Sequence, residues 1–300
     1  MNTLLQLLLD GLSLGAIYAL IALGYTLVYG ILRLINFAHG DIFMVAAYAA
    51  LFSALSSLAP ADPGATRFAV TLLASMAAAA LLGLAIERFC YRPLRGQPRI
   101  NLLITAVGVS LLLENLSQVL FGANPRVFPE LLQGGVAFEN GQLKVGQIDV
   151  WVLLTAFGLM LALEAFVHRT RAGRAMRAVA HSHETAALVG VPVDKVIALT
   201  FAVGSALAAA AAVLYGVKYP QVSPFMGVMP GLKAFVAAVL GGIGNLRGAV
   251  LGALLLGLAE SLVIGYGGAT WKDALAFLIL ILILVLRPAG LLGKYEAEKV

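Results

Sequence analysis

Long apolar runs separated by short polar breaks make up most of the chain. A window of about 20 residues, the length that crosses a hydrocarbon core of about 30 Å, marks nine candidate membrane segments. They lie at about 6–30, 41–59, 67–87, 100–121, 150–168, 195–217, 232–246, 248–266 and 272–287. The pattern predicts an all-α fold, a polytopic transmembrane helix bundle of about eight or nine membrane segments that forms one domain over residues 1–300.

One segment differs from the others. The run 232–246 is too short to cross as a straight helix and ends in the glycine-rich Leu240-Gly241-Gly242-Ile243-Gly244-Asn245. We therefore expect a broken or re-entrant element there. The first segment has no basic region before it and continues past the length of a signal peptide, so we interpret it as a retained span.

Composition supports a protein that resides in a bilayer. Hydrophobic residues make up 61% of the 300 residues and charged residues only 12%. Soluble domains carry about a quarter charged residues, so these values exclude a soluble globule, a disordered chain and a nucleic-acid binder. A single cysteine, Cys90, cannot form an internal disulfide.

The 20 Lys and Arg residues outnumber the 15 Asp and Glu and lie mainly in the polar breaks. If each of the nine segments crosses once, fourteen of these bases fall on one side, together with the carboxyl terminus. Six fall on the other side, which are Arg67, Arg126, Lys144, Lys218, Lys233 and Lys272. The positive-inside rule then predicts a cytoplasmic carboxyl terminus and an amino terminus that faces outward. A re-entrant 232–246 segment would reverse one part of this assignment.

Two connections are long enough to have roles of their own. The outer loop, about 123–149, is rich in turn-forming residues. The inner loop, about 169–194, is basic and helical in composition, with Met176, Val179, Ala180, Ala187 and Leu188 at roughly helical spacing, and it stops at Gly190 and Pro192. Such a segment either lies on anionic headgroups or docks on a cytoplasmic partner; the small apolar run 186–191 favours docking.

Several membrane segments carry polar or small residues in patterns. Ser110, Glu114 and Ser117 or Gln118 share one helix face, and Glu164 and Glu260 lie in other segments. Glu114 and Glu260 are candidates for a substrate path; the alternatives are interhelical hydrogen bonding or a raised pKa that keeps the carboxyl group neutral. Small residues every four positions predict close helix packing, at Gly11, Gly15 and Ala19 and again at Gly248, Gly252, Ala253, Gly257 and Ser261.

Tyr18, Tyr25 and Tyr29 form a stripe that could line a pathway, and the aliphatic run 274–286 is expected to face lipid.

Signatures of catalysis and of nucleotide or metal binding do not occur. The run Gly290 to Tyr295 has the wrong spacing for a phosphate-binding loop, and Gly242 to Arg247 lacks the third glycine of a dinucleotide site. His181 and His183 have no carboxylate or thiol ligands at metal-binding spacing. We therefore expect a non-catalytic chain that binds no metal and no cofactor.

Motifs in order along the chain closely resemble the bacterial high-affinity branched-chain amino-acid ABC permeases, of the shorter type without a fused ATPase. They are Gly24 to Gly30, Ile35 to Asp41, Gly173 to Ala178, Ala187 to Gly190, Lys233 to Phe235, Ala238 to Gly244 and Arg287 to Gly293. The resemblance implies one membrane subunit of an importer in the bacterial cytoplasmic (inner) membrane. Its partners would be a second homologous permease, two cytoplasmic ATPases that bind ATP and Mg, and a periplasmic binding protein.

The resemblance also implies roles for particular residues. It makes the inner loop a coupling helix in an ATPase groove, with the candidates Gly173, Arg174, Arg177, Ala178, Glu184, Ala187, Leu188 and Gly190. The family has a broken element after the Asn36 to Gly40 motif and a related one later; Gly40 to Met44 and Gly248 to Gly252 each open a helix after a break. Candidates for the path of a branched aliphatic amino acid are Tyr25, Asn36, His39, Thr105, Glu114, Asn245 and Glu260.

Other functions stay open at this point. A related permease for urea or short amides would share the architecture and most motifs. A secondary transporter or channel would need no ATPase and would usually carry ionisable residues inside several spans. An intramembrane enzyme would need an acid/base pair or metal cluster at one depth, which the sequence does not display.

Overall fold

The structure, a computed structural model, describes residues 4–140 and 143–293. Within these ranges the chain forms eleven α-helices and four short strands. The helices are α1 (Leu4–Leu32), α2 (His39–Leu55), α3 (Ala65–Ile86), α4 (Arg99–Phe121), α5 (Gln147–Arg169), α6 (Arg171–His181), α7 (His183–Leu188), α8 (Val193–Lys218), α9 (Val228–Gly241), α10 (Leu246–Tyr266) and α11 (Lys272–Leu286). The strands are β1 (Arg126–Val127), β2 (Val136–Asn140), β3 (Leu143–Gly146) and β4 (Gln221–Val222).

Nine of these helices correspond to the nine predicted segments, so the polytopic all-α bundle is confirmed. Seven spans in the described ranges are long and apolar enough to cross a membrane, and two apolar helices, α2 and α9, are shorter. The helices α6 and α7 form the polar connection between α5 and α8. We call the end of the bundle that carries α6 and α7 the loop end, and the opposite end, where β2 and β3 lie, the hairpin end.

The later broken element is α9, not the start of α10. Helix α9 has 14 residues and runs from Val228 to Gly241, whereas the sequence placed this segment at 232–246. Helix α10 is uninterrupted over 21 residues. The boundary is shifted because Gly242 and Gly244 both adopt positive φ angles, which turn the chain, and the Asn245 side chain then accepts a hydrogen bond from the Gly248 amide to cap α10.

Helix α1 is the centre of the bundle and is buried along most of its length against α8, α9 and α10. The predicted glycine packing between the first and eighth spans is confirmed. A Cβ atom added at Gly257 would lie 2.4 Å from the Cα atom of Gly15, and one added at Gly15 would lie 2.9 Å from the Ala253 carbonyl oxygen. Only glycine lets the two backbones approach this closely.

The outer helices expose apolar side chains. Helix α11 contacts mainly α9 and α10, and its leucines, isoleucines and valines are largely exposed, as expected for a helix that faces lipid. Helix α4 is similarly exposed along one side.

The loop at about 123–149 contains strands that its turn-rich composition did not predict. Strands β2 and β3 pair as an antiparallel hairpin, and β1 pairs with β4, a strand that follows α8. The hairpin also contacts the start of α1, where the Lys144 amide donates to the Gln6 side chain over 3.0 Å. Pairing between β1 and β4 is nonlocal, so composition alone could not reveal it.

Candidate translocation and coupling sites

The short helices α2 and α9 meet at their amino-terminal ends. A Cβ atom added at Gly227 would lie 2.0 Å from the Gly40 carbonyl oxygen, so these two backbones touch directly. The His39 ring, at the start of α2, packs against Gly24, which lies eight residues before the end of α1. At a rise of 1.5 Å per residue, α2 therefore begins about 12 Å inside the bundle. Both helices are half-helices that start in the interior.

Three predicted path residues gather at this junction. The Tyr25 and His39 rings lie 4.6 Å apart in an edge contact, and Phe235 of α9 packs on the other side of Tyr25 at 6.2 Å. Asn36 accepts a hydrogen bond of 2.8 Å from the Tyr91 hydroxyl. The Asn36 amide nitrogen and the His39 Nε2 atom are buried with no hydrogen-bond partner among the described residues. The junction thus combines aromatic walls with unused polar atoms, as a neutral binding surface requires.

A second polar contact joins α2 to α4. The Ser110 hydroxyl donates a hydrogen bond to the carboxylate of Asp41, in the first turn of α2, and Glu114 lies close enough to interact with that carboxylate. The structure thus brings Glu114 to the α2 junction. The Thr105 hydroxyl, nearer the start of α4, donates to the Asn101 carbonyl of its own helix over 2.8 Å, and its place in the path stays a prediction.

Glu260 belongs to a different cluster, closer to the hairpin end. Its carboxylate accepts a hydrogen bond of 3.2 Å from the Tyr18 hydroxyl and one of 2.6 Å from the Lys233 ammonium. The same ammonium forms an ion pair of 2.7 Å with Asp273. Sequence reasoning missed Lys233 and Asp273. It assigned Lys233 to the charges of the outer side, whereas the side chain is buried within the bundle.

Asn245 has a mainly structural position. Besides capping α10, its amide nitrogen donates to the Leu292 carbonyl over 2.9 Å. Nearby, the Leu291 and Leu292 amides donate to the carbonyls of Leu240 and Gly241, the last residues of α9.

Beside Asn245 a cavity of about 820 Å³ opens at the loop end, and it is lined by Tyr29, Arg33, Arg177, His181 and Arg247 among others. Glu164 lies at its rim, paired with Arg247 at 2.7 Å.

The predicted coupling segment consists of two helices and not one continuous amphipathic helix. Ser182 has an extended backbone between α6 and α7, and its hydroxyl accepts a hydrogen bond from the Thr185 amide to cap α7. The break changes which residues are buried. Met176 and Val179 pack inward as the spacing predicts, but Leu188 is 88% exposed, and Ala186 is the buried residue of α7.

The coupling candidates fall into two groups. Gly173 and Arg177 face α5: a Cβ atom at Gly173 would lie 2.2 Å from the Val167 carbonyl oxygen, and Arg177 donates a hydrogen bond to that oxygen. These contacts form a rigid elbow between α5 and α6. The second group is exposed to solvent and consists of Arg174, Glu184, Ala187, Leu188 and Gly190; Ala178 is partly exposed.

Side-chain contacts join neighbouring elements at the loop end. The His183 ring contacts the Ile31 carbonyl oxygen at 2.7 Å, which ties the start of α7 to the end of α1. Arg95 forms ion pairs with Glu87 and, at 2.6 Å, with Asp194 near the start of α8. The pair between Arg95 and Asp194 was not predicted, because these residues lie 99 positions apart in sequence.

No group of three His, Cys, Asp or Glu side chains within residues 4–140 and 143–293 is arranged to hold a metal ion. The expectation that the chain binds no metal and catalyses no reaction therefore stays a prediction. Bundled apolar spans, interior half-helices and polar groups gathered between helices together define a class, the multi-pass membrane transport proteins.

Comparison with known proteins places the chain within that class. The family described as branched-chain amino acid transport system / permease component matches residues 7–284, and the chain belongs to this family. It is 43% identical over 303 residues to the high-affinity branched-chain amino acid transport system permease protein BraD of Pseudomonas aeruginosa, covering 99% of this chain and 98% of that protein. It is 41% identical over 300 residues to LivH of Escherichia coli K12, which has the same descriptive name, covering 99% and 97%.

A more distant relative has a different cargo in its name. The fructose import permease protein FruG of Bifidobacterium longum is 30% identical over 131 residues, which cover 41% of this chain and 38% of that protein. The family match and the two nearly full-length relatives confirm the resemblance inferred from the motifs. The partial similarity to the fructose permease does not by itself define a substrate.

Proposed function

We propose that this chain forms part of the translocation path of an ABC importer for branched-chain amino acids. The observation that carries the proposal is its 41–43% identity, over nearly the whole length, to permeases named for that transport. A second homologous permease completes the path, and a periplasmic binding protein delivers the amino acid. Two cytoplasmic ATPase subunits bind ATP and Mg, so this chain is itself non-catalytic.

The proposed location is the bacterial cytoplasmic membrane, with the loop end in the cytoplasm. The excess of Arg and Lys on that side supports this orientation. The proposed cytoplasmic carboxyl terminus includes Lys294 and Lys299, which lie outside the described residues. The hairpin end then faces the periplasm, where the binding protein would dock.

Helix α7 and the residues after it supply the proposed contact with an ATPase. Leu188 and Val189 are 88% and 72% exposed at an end of the bundle that is otherwise rich in charged residues. Gly190, with φ of +83°, ends the helix and leaves this apolar tip protruding. Exposed apolar tips of this kind fit a hydrophobic groove on a protein partner.

The tip is held firmly enough to transmit a displacement. The elbow at Gly173 joins α6 to α5, and His183 joins α7 to α1. A movement of the tip is therefore passed to two membrane helices as a rigid-body displacement, and ATP-driven closure of the ATPase subunits would supply that movement.

Replacement of Leu188 by glutamate tests this contact. The charge should abolish ATP-dependent uptake and release the ATPase subunits from the purified complex, because a carboxylate cannot be buried unpaired in an apolar groove. Leu58→Glu is the control, since Leu58 is 74% exposed at the hairpin end, and this variant should retain the ATPase subunits. Full retention of the ATPases by the Leu188 variant would contradict the assignment of the tip.

Uptake measurements test the function as a whole. Proteoliposomes would contain the co-expressed membrane and ATPase subunits, with binding protein outside and ATP inside. We expect radiolabelled leucine to accumulate only when both ATP and binding protein are present. Accumulation of urea and not leucine would reassign the substrate, and transport by this chain without ATPases would indicate a channel or secondary transporter.

A further inference from the structure

Lys233, Glu260 and Asp273 bring one positive and two negative charges together inside the bundle. They come from three helices, α9, α10 and α11, and Tyr18 of α1 adds a hydroxyl on the Glu260 carboxylate. The side chains of Lys233 and Glu260 are only 5% and 4% exposed. We call these three ionisable residues the triad.

A purely structural purpose explains the triad poorly. Burying an ion pair carries a large desolvation penalty for each ion, and apolar residues of similar size are often as stabilising or more so. Close packing between these helices is already provided by contacts such as that of Gly252 with Ala237. Charged side chains within a membrane bundle mark ligand pathways by default.

Asp273 is the member of the triad that is exposed at the hairpin end, although its Oδ1 atom, which pairs with Lys233, is buried. Asp273 lies in the first turn of α11, just after the connection from α10, and its side chain is 35% exposed. The Lys233 ammonium lies between this exposed carboxylate and the buried carboxylate of Glu260, at 2.7 Å and 2.6 Å. A ligand that arrives at this end therefore meets Asp273 first, and Lys233 directly behind it.

This order of charges is complementary to a free α-amino acid. A substrate ammonium can pair with Asp273 while its carboxylate replaces Asp273 on Lys233, and Glu260 with Tyr18 keeps the lysine in place. Before the exchange Lys233 makes two opposite-charge contacts, with Glu260 and with Asp273. After it there are three, which are Lys233 with Glu260, Lys233 with the substrate carboxylate, and Asp273 with the substrate ammonium. The exchange therefore leaves no buried charge unpaired. Urea and short amides carry no charges and cannot make this exchange.

We propose that the triad is an entry site for the zwitterionic head group of an α-amino acid, at the hairpin end of the path. This inference rests on the proposed importer function and narrows it, because the site selects charged head groups over neutral amides. The aliphatic side chain of the substrate takes no part in this recognition.

Two variants test the site in the reconstituted importer. Asp273→Asn removes the carboxylate that receives the ammonium. The double variant Lys233→Met with Glu260→Leu replaces the buried pair by apolar groups of similar size, which should preserve packing. We expect each to lower leucine uptake by at least tenfold, while basal ATP hydrolysis and recovery of the four-subunit membrane complex match the unaltered protein.

Asp149→Asn is the matched control. Asp149 also lies at the hairpin end, pairs with Lys218 at 2.6 Å and accepts a hydrogen bond of 3.0 Å from Ser13, and both partners of this pair are mostly buried. Asp10 lies near this pair, but among the described residues Lys218 forms an ion pair with Asp149 alone, whereas Lys233 forms one with each of two carboxylates. We expect its uptake to stay within twofold of that of the unaltered protein.

The outcomes separate this inference from the proposed function. If the unaltered importer accumulates leucine but the double variant transports it within twofold, or if Asp149→Asn and Asp273→Asn lose uptake equally, the triad is a structural clamp and the inference is wrong. If the unaltered importer accumulates no leucine under any condition, the proposed function itself fails.

Discussion

Replacing Gly257 by alanine should destabilise the bundle, although alanine is the better helix former. The added methyl carbon would lie 2.4 Å from both the Cα and N atoms of Gly15 and 2.6 Å from the Gly11 carbonyl oxygen. Carbon atoms pack at about 3.5 Å or more, so the α1 and α10 backbones must separate locally by about 1 Å. Because the obstructing atoms belong to a backbone, no side-chain rotation can relieve the contact.

The size of the effect follows from two opposing terms. Overpacking of a core typically costs about 1–3 kcal/mol, and alanine in place of a helical glycine returns about 0.5–1 kcal/mol. We expect a net loss of about 1–2 kcal/mol, because α1 is buried along most of its length and its contact with α10 is disturbed. A fall of several degrees in melting temperature should accompany this loss.

Thermal unfolding of the detergent-purified protein, followed by tryptophan fluorescence or circular dichroism, measures this fall. Gly158→Ala is the control, because Gly158 lies in the middle of α5 and nothing lies within 4 Å of an added Cβ atom. That variant should keep or slightly raise the melting temperature. If Gly257→Ala is as stable as Gly158→Ala, the close approach of α1 and α10 does not depend on glycine and our reasoning is wrong.

Two further substitutions test contacts at the α2 junction and at the elbow. Tyr91→Phe removes the donor to Asn36 and should cost about 1–3 kcal/mol, seen as a lower melting temperature, whereas the exposed Tyr266→Phe should have no effect. Gly173→Ala places a Cβ atom 2.2 Å from the Val167 carbonyl oxygen and should distort the elbow. It should reduce leucine uptake more than it reduces the amount of inserted protein on immunoblots; equal reductions would indicate a folding defect alone.

The nine segments could be predicted from sequence because apolar length is a local property. Even the short α9 was visible as a run ending in glycines. Its start at Val228 was not, since Pro230 and Gly231, residues that usually interrupt a helix, lie in its first turn. The break at Ser182 was missed because apolar residues continue at helical spacing on both sides of a cap.

Contacts between distant residues explain what sequence reasoning missed at the candidate sites. Glu260 was identified as a polar residue in a span, but its partner Lys233 was counted as an outer charge because it opens an apolar segment. Only the position of α9 against α10 reveals that the lysine points inward. The Thr105 hydroxyl donates to its own helix, a contact that a list of polar positions does not reveal, and its role in the path stays a prediction.

The contact between the end of α9 and residues 289–293 has a consequence for biosynthesis. The carbonyls of Leu240 and Gly241 receive their hydrogen bonds from Leu291 and Leu292, about 50 residues later in the chain. At a synthesis rate of about 5–20 residues per second, the ribosome adds the partner amides roughly 3–10 s after these carbonyls. During that time α9 cannot be completed at its carboxyl end, although α10 follows it immediately. The turn between the two helices is therefore among the last parts of the bundle to form, and truncation before Leu291 should leave α10 inserted beside an unfinished α9.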